Sequence, residues 1–406
     1  MMTSTTVRTD LDAFEASART FLEAHLQPAA STTSVWGIGD DTMSPYAKRT
    51  PLQERVRIDR ARWWKQLEFD AGFGWITGPT ELGGSGLTAD HLRRYGEACR
   101  TYDVPSTDVY TISLGMVAPA IAQHGQSGVV GRYVTAMHRG DLIGCQLFSE
   151  PGAGSDVAGL TTRAARDGDE WVISGQKVWT SEAHHADVGL LLARSNPDAP
   201  KHKGITAFAI PMSLPGIEVR PLTMMTGGTE FNEVFLNDVR VDDSHRLGAV
   251  DGGWGVAISV LMNERALGAG DAFGLGRAVE RLRMMASLPG LRGEDPVIRQ
   301  NLARIICHAE CIRYQALAAD GRRKAGLPPG PAESVFKLAN TEALRRVAQV
   351  AGEMLGPAAI ADSGKWGTYA WADLILTVPG MRVAGGTDEV MRNILAERVL
   401  GLPKEP

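Results

Sequence analysis

The sequence predicts an α+β protein built of three consecutive regions: a helical region at residues 1–140, a β-rich region at 141–245 and a second helical region at 246–406. Hydrophobic residues follow a helical spacing near both ends of the chain, whereas short apolar runs separated by turns fill the middle. With 406 residues, the chain is too long for one simple core and suits two or three packed units.

The N-terminal region shows helical spacing interrupted by glycine-rich turns. Its first helical stripe consists of Leu11, Phe14, Ala18, Phe21 and Leu22. A later Gly-Gly-Ser-Gly run at 83–86 has no strand before it and no Lys-Ser/Thr after it. We therefore interpret that run as a turn and not as a phosphate-binding loop.

The middle region contains short apolar runs that are typical of strands. The clearest lie at 171–173, 190–192, 205–210, 217–219 and 234–236. Their spacing favours a small antiparallel sheet or barrel over alternating β–α units.

Helical spacing returns in the C-terminal region. Apolar stripes run along 302–316 and 339–354, and further long helices are expected around 253–286 and 387–400. Together they predict a four-helix bundle.

The composition indicates a soluble globular protein. It is 44% hydrophobic and 22% charged, and a net charge of −5 argues against a nucleic-acid partner. The start of the chain lacks a secretory pattern, and no run approaches the roughly 20 apolar residues that span a bilayer. Four scattered cysteines favour reduced thiols, so we expect a cytoplasmic protein without a membrane span.

Two stretches, at 145–156 and 175–181, carry the most informative chemistry. In the first, an apolar strand runs into a hydroxyl, a Pro-Gly turn and a small-residue loop. Open backbone N–H groups, hydroxyls and glycines that permit close approach suit a flat, electron-poor heterocycle or an anionic oxygen. Trp179 in the second stretch adds a rigid aromatic wall. Taken alone, the first stretch is better explained as a turn and Trp179 as a core aromatic.

Together the two stretches resemble the flavin-binding signature of the acyl-CoA dehydrogenase family, whose order of helices, strands and helices covers essentially the whole chain. The resemblance implies bound FAD. It also implies that Gln146, Phe148 and Ser149 contact the pyrimidine side and the N5 edge of the flavin ring. Gly154 and Ser155, in the small-residue loop, would contact the pyrophosphate and the acyl-CoA. Trp179 would cover the ring, and the hydroxyl of Ser181 would bond to N5.

A third stretch, starting at Gly385-Gly386, resembles the closing segment of that family and implies that Thr387 and Glu389 hold the cofactor. The residues themselves also predict a helix start, with Thr387 as the cap and acidic side chains favoured by the helix dipole. Both interpretations can hold together.

The catalytic base departs from the commonest pattern of the family. Many members carry a glutamate just before the Gly-Thr of the closing segment, where this chain has Gly385. A subset carries the base in a Leu-x-x-Glu-Arg pattern, which Leu261 to Arg265 match. The resemblance therefore implies Glu264 as the base and Arg265 as a contact to CoA or to a neighbouring carboxylate. An apolar helix would raise the pKa of such a glutamate, although Glu-Arg pairs on helices usually face solvent.

Two further family elements are missing or degraded. The Arg-x-x-Phe-Gly element is absent near 288–293, and the segment for the ADP half is degraded at 352–357, so the residues that hold the ADP half of FAD stay unassigned. Some relatives split their cofactor sites between two different subunits. The adjacent His184 and His185 are expected to point apart with no carboxylate cluster beside them, which predicts no metal.

The resemblance implies an oxidoreductase that converts an acyl-CoA thioester to the trans-2-enoyl-CoA in fatty-acid, branched-acyl or steroid side-chain degradation. It implies an electron-transfer flavoprotein or similar acceptor, and a homotetramer or dimer, with a heterotetramer as an alternative. Two other functions stay open: a flavin monooxygenase or oxidase of the same superfamily, and a subunit inactive on its own. Acyl chain length, steroid preference and the physiological acceptor are not decided by the sequence.

Overall fold

The chain divides into two compact units in a computed structural model that describes residues 4–29, 35–39, 41–44, 46, 48–267, 274–327 and 330–404. The first unit comprises 1–33, 49–221 and 231–257, and the second comprises 34–48, 222–230 and 258–406. The N-terminal helices and the sheet therefore share one unit, and most of the C-terminal helices form the other.

Eleven α-helices and eight strands are found among the described residues. The helices are α1 (Ser4–His25), α2 (Pro51–Asp70), α3 (Ala89–Cys99), α4 (Ala118–His124), α5 (Ser127–Arg139), α6 (Gly253–Leu267), α7 (Leu275–Ala286), α8 (Pro296–Lys324), α9 (Ser334–Leu355), α10 (Ala370–Val383) and α11 (Asp388–Arg398). The strands are β1 (Gly144–Leu147), β2 (Arg163–Asp167), β3 (Glu170–Ser181), β4 (Val188–Arg194), β5 (Ile205–Pro211), β6 (Ile217–Leu222), β7 (Phe231–Asp242) and β8 (Arg246–Leu247).

The strands form one mostly antiparallel sheet in the order β6-β7-β3-β2-β4-β5-β8, with β1 added in parallel beside β4. The five apolar runs identified in the sequence lie in β3 to β7, which confirms the predicted β region. β4 and β5 read as continuous apolar runs because nearly every residue in them is buried. The polar strand β2 lacks an apolar run. It forms a hairpin with β3, and the turn between the two strands has Gly168 at φ +64°.

In the second unit, α9 lies at the centre and contacts α7, α8, α10 and α11. Its buried face, which includes Leu344 and Val347, packs with Trp371 and Leu374 of α10. The apolar stripes predicted at 302–316 and 339–354 lie in α8 and α9. The single helix predicted at 253–286 is represented by two, α6 and α7, with 268–273 outside the described residues. No helix in the described part of the chain is long and apolar enough to cross a membrane.

A buried ion pair fastens the start of α11 to α9. Asp388 is 3% exposed and accepts hydrogen bonds from Lys337 Nζ at 2.8 Å, Thr341 Oγ1 at 3.1 Å and Arg382 Nε at 2.7 Å. Burial on its own raises the pKa of Asp388, but these cations and hydrogen bonds outweigh it and lower the pKa. The glycine pair at 385–386 therefore leads into a helix whose first residue is held in place.

We expect Asp388→Asn to lower the free energy of unfolding by about 3 kcal/mol, since it leaves the buried Lys337 ammonium without its countercharge. Urea unfolding of the flavin-free protein measures the change. Glu389→Gln, the same change at the next and exposed residue, is the control and should stay within about 0.5 kcal/mol of wild type. Coincident unfolding curves for the two variants would show that the Asp388 pair adds nothing to stability.

Candidate active site

The first predicted ligand-binding stretch leaves the sheet at the end of β1 and forms a tight turn. Glu150 and Ala153 close this turn by reciprocal backbone hydrogen bonds of 3.1 and 3.0 Å. The Ser149 carbonyl accepts from the Val178 backbone N–H of β3 at 2.9 Å. The two stretches that were linked only by a family resemblance are therefore in direct contact.

The turn has a buried inner side and an open outer side. Phe148 is 3% exposed, so its side chain belongs to the protein interior, whereas Gln146 and Ser149 are half-buried. Gly154 and Ser155 are exposed, and a Cβ at Gly154 would meet no atom within 4 Å. The hydroxyls of Ser149 and Ser155 make no hydrogen bond within the part of the chain that the structure describes. They are available to a ligand.

Trp179 is presented to the surface by an irregularity in β3. The register between β3 and β7 shifts between Lys177 and Thr180, as in a β-bulge, and Trp179 has φ +60°. Its side chain is 61% exposed, although Val178 and Thr180 on either side are buried. Its described ring neighbour, Phe231, stands edge-on with centroids 6.2 Å apart. The alternative of a core aromatic is therefore wrong: the indole is an open flat surface.

Ser181 lies at the end of β3, half-buried and in register with Phe231. Its hydroxyl forms no hydrogen bond to other described residues. Glu182, three residues beyond Trp179, also has a left-handed backbone, with φ +59°. Such a conformation is costly in a residue other than glycine and is concentrated at functional sites.

Behind the turn lies a fully buried lysine that sequence reasoning missed. Lys177 is 0% exposed, and its Nζ donates to Glu150 Oε1 at 2.8 Å and to the Phe148 carbonyl at 3.1 Å. Burial lowers the pKa of Lys177, offset in part by Glu150. For Glu150, burial favours a higher pKa, but Lys177 and the hydrogen bonds to Thr161 and Thr162 outweigh it and lower the pKa.

A second polar cluster follows Ser181 and corrects one expectation. His184 and His185 do not point apart, because their ring centroids are 3.8 Å from each other. Carboxylates also accompany them: Glu54 of α2 and Glu182 join the two histidines in a group whose ligand atoms lie within 4.8 Å of one another. The sequence did not predict this group because Glu54 is distant in the chain.

Arg57 occupies the middle of this cluster. Its guanidinium donates to Glu54, to both oxygens of Glu182 at 2.9 and 3.0 Å, and to Asp108 at 3.0 Å. Burial, with the neighbouring His185, lowers the pKa of His184 to about 4, so this imidazole is neutral at pH 7. Arg57 already pairs with both carboxylates, and Arg49 lies 3.8 Å from Glu54, which favours an internal ion network over a cation site. The absence of a bound metal stays a prediction.

In the second unit, Glu264 and Gly385 lie directly against each other. Gly385 has φ +65°, and a Cβ placed on it would lie 3.2 Å from Oε1 of Glu264. Glu264 is half-buried on α6. Its carboxylate therefore occupies the space toward which a side chain at 385 would point. This is the arrangement expected if the base position had moved from one segment to the other.

The remaining predicted residues of this unit lie around the start of α11. Thr387 is the N-cap, and its Oγ1 accepts from the Val390 backbone N–H at 3.2 Å, as predicted for a helix start. A backbone hydrogen bond and a hydrogen bond from the Thr387 hydroxyl lower the pKa of Glu389. Glu389 is exposed and contacts Arg392 at 3.3 Å. Arg265 lies in the helix backbone, but its side chain is outside the described residues.

The residues present fit a flavin. An isoalloxazine ring needs a flat apolar surface, hydrogen-bonding groups at its edge and a closely approaching backbone. The first unit provides the open indole of Trp179, the hydroxyls of Ser149 and Ser181, and an unobstructed glycine at 154. Sequence reasoning identified these outward-facing groups. It missed Lys177, although a lysine in a buried strand was a signal that could have been noticed.

Comparison with known proteins agrees with this geometry. The acyl-CoA dehydrogenase middle-domain model matches residues 145–239, and the C-terminal-domain model matches 251–400. Acyl-CoA dehydrogenase IpdE1 of Mycobacterium tuberculosis is 33% identical over 98% of this chain and 99% of its own length. Acyl-CoA dehydrogenase FadE34 of the same organism is 42% identical over 71% of this chain, which spans only 39% of that longer protein.

A solved structure named Tcur3481-Tcur3483 steroid ACAD has a TM-score of 0.75 and 26% sequence identity, and the match covers 98% of both chains. The fold expected from the sequence is thereby confirmed, as is the family resemblance. The chain belongs to the acyl-CoA dehydrogenase family, whose members are flavin-dependent oxidoreductases.

Proposed function

We propose that this protein is an FAD-dependent dehydrogenase that converts an acyl-CoA thioester to its trans-2-enoyl-CoA, with Glu264 as the base. The observation that carries the proposal is the contact between Glu264 and Gly385. The commonest base position of the family holds no carboxylate here, and the carboxylate of Glu264 fills the space that this position leaves.

Glu264 takes the α-proton of the thioester while the β-hydrogen leaves with its electron pair. The surroundings of Glu264 suit this role, because α6 also carries the buried apolar residues Val256 and Val260. The half-buried position keeps the group accessible without full hydration.

The bound flavin supplies the acceptor for the departing hydride. Gln146, Ser149, Gly154 and Ser155 would hold the flavin from the segment at the end of β1, and Trp179 and Ser181 would hold it from β3. Thr387 and Glu389 are also assigned to the cofactor, and Arg265 with Ser155 to the CoA ester. The support for the roles of Ser149, Gly154 and Ser155 is the open outer face of the turn and the loop after it, with hydroxyls that make no hydrogen bond to described residues.

The proposed substrates are fatty, branched or steroid side-chain acyl-CoA esters. The similar solved structure is described as a steroid ACAD, and the relatives FadE34 and IpdE1 are acyl-CoA dehydrogenases. Electrons then pass to an electron-transfer flavoprotein or a similar acceptor. We propose that the protein is a homotetramer or dimer. The similar structure Tcur3481-Tcur3483 is named for two proteins, so a heteromer is the second assembly to test.

An anaerobic titration of the purified protein with a panel of short, branched and steroid-type acyl-CoA esters should bleach the flavin absorption with one class. That class identifies the substrate. No bleaching by any ester, together with rapid reoxidation by air of flavin that has been reduced with dithionite, would favour the monooxygenase or oxidase alternative. A protein that gains flavin only with a second chain would favour the heteromer.

Glu264→Gln should keep bound flavin and slow its reduction by acyl-CoA by about 10²- to 10⁴-fold, the usual contribution of a general base. Stopped-flow absorption under anaerobic conditions measures the rate. Glu310→Gln makes the same chemical change on the exposed face of α8 and should reduce at the wild-type rate. Reduction of Glu264→Gln at the wild-type rate would remove this residue from the mechanism.

The contact between Glu264 and Gly385 also predicts that the base can be moved. In Glu264→Ala/Gly385→Glu, the new carboxylate starts from a Cβ aimed at the vacated space, so flavin reduction should be faster than in Glu264→Ala alone. It should stay below wild type, because a residue other than glycine at φ +65° costs about 1–2 kcal/mol. No gain over Glu264→Ala, with flavin still bound, would show that the two positions do not serve one reacting carbon.

A further inference from the structure

We infer that Lys177 and Glu150 form a positioning pair that fixes the turn at 148–153 in the one arrangement that binds the flavin ring. Neither side chain is assigned to contact the ring; both act through the backbone that does. The inference rests on the proposed flavin site and adds to it a pair of residues that act from inside the protein.

The pair joins three segments that are separate in the sequence. Lys177 of β3 donates to Glu150 Oε1 at 2.8 Å and to the Phe148 carbonyl at 3.1 Å, so it holds the turn at two points. Glu150 in turn accepts from the Thr161 N–H at 2.6 Å, the Thr161 hydroxyl at 2.8 Å and the Thr162 N–H at 2.9 Å. These threonines lead into β2. The turn between Phe148 and Glu150 is therefore fixed against both neighbouring strands.

The same contacts determine where the outward-facing groups lie. Ser149 stands between the two residues that Lys177 holds, and its own carbonyl accepts from Val178, the residue next to Lys177. On the other strand, Trp179 follows two residues after Lys177 within the bulge. The hydroxyl of Ser149 and the indole of Trp179 are thus both placed relative to one buried ammonium group.

Stability alone gives little reason for such a pair. Lys177 is 0% exposed and Glu150 is 5% exposed, so both charges lose their hydration on folding. Buried ion pairs replaced on both sides by uncharged residues often leave stability unchanged or increased. What a fully hydrogen-bonded pair supplies is geometry, because its donors and acceptors are satisfied in only one arrangement. A rigid support behind the ligand-facing groups is what a preorganised site needs.

The double variant Lys177→Met/Glu150→Gln separates geometry from stability. It removes both charges, so neither is left buried alone, and it removes the lysine bond to Phe148. We expect unfolding close to wild type, a dissociation constant for FAD raised at least about tenfold and shifted flavin absorption bands. Arg220→Met/Glu218→Gln applies the same kind of change to an exposed pair on β6 and should bind FAD as wild type does.

FAD titration of the flavin-free proteins, followed by flavin fluorescence and absorption, gives the dissociation constants. A double variant that binds FAD with wild-type affinity and an unchanged spectrum would overturn the positioning role. If the double variant does not fold, Lys177→Arg provides the same test, because it keeps the charge but displaces the donor; wild-type affinity and spectrum would again overturn the inference. Wild-type protein that binds no FAD, either alone or together with a second chain, would contradict the proposed function itself.

Discussion

A charged lysine enclosed in a β-sheet is the constraint on which the ligand-facing surface of the first unit depends. Lys177 has no exposed surface, and its partners are one carboxylate and one carbonyl, both in the turn that follows β1. An ammonium in such a place must keep its acceptors or lose its charge. The turn is therefore not free to move as most surface turns are, and the groups on its outer side inherit that fixed position.

The second unit repeats this arrangement with different residues. Lys337 of α9 holds Asp388 from behind, and the segment it secures begins with the glycine pair and carries Thr387 and Glu389 on its outer side. In both units a small, glycine-containing segment has a buried lysine–carboxylate pair on one side and an open surface on the other. Glycines make close approach possible, but they also increase the freedom of the unfolded chain. The ion pairs behind them limit the number of native conformations.

Much of the fold and the outward-facing part of the site followed from the sequence, because apolar spacing and short motifs are local signals. The strand runs, the helical stripes of α8 and α9 and the cap at Thr387 are of this kind. The pairing of Lys177 with Glu150 was not predictable, since it depends on how β3 passes behind the turn. The cluster around Arg57 needed α2 to lie beside the end of β3. Such contacts are set by tertiary packing, and no spacing along the chain encodes them.

The empty position at Gly385 bears on how members of this family are recognised. A survey that asked each sequence for a glutamate before the Gly-Thr of the closing segment would classify this chain as a pseudoenzyme. Yet the space in front of that glycine holds the carboxylate of Glu264, which arrives from α6. With the base proposed there, catalytic competence depends on whether a carboxylate occupies this small volume of the folded protein. Two positions that are distant in the sequence can each supply that carboxylate, and one column of an alignment records only one of them.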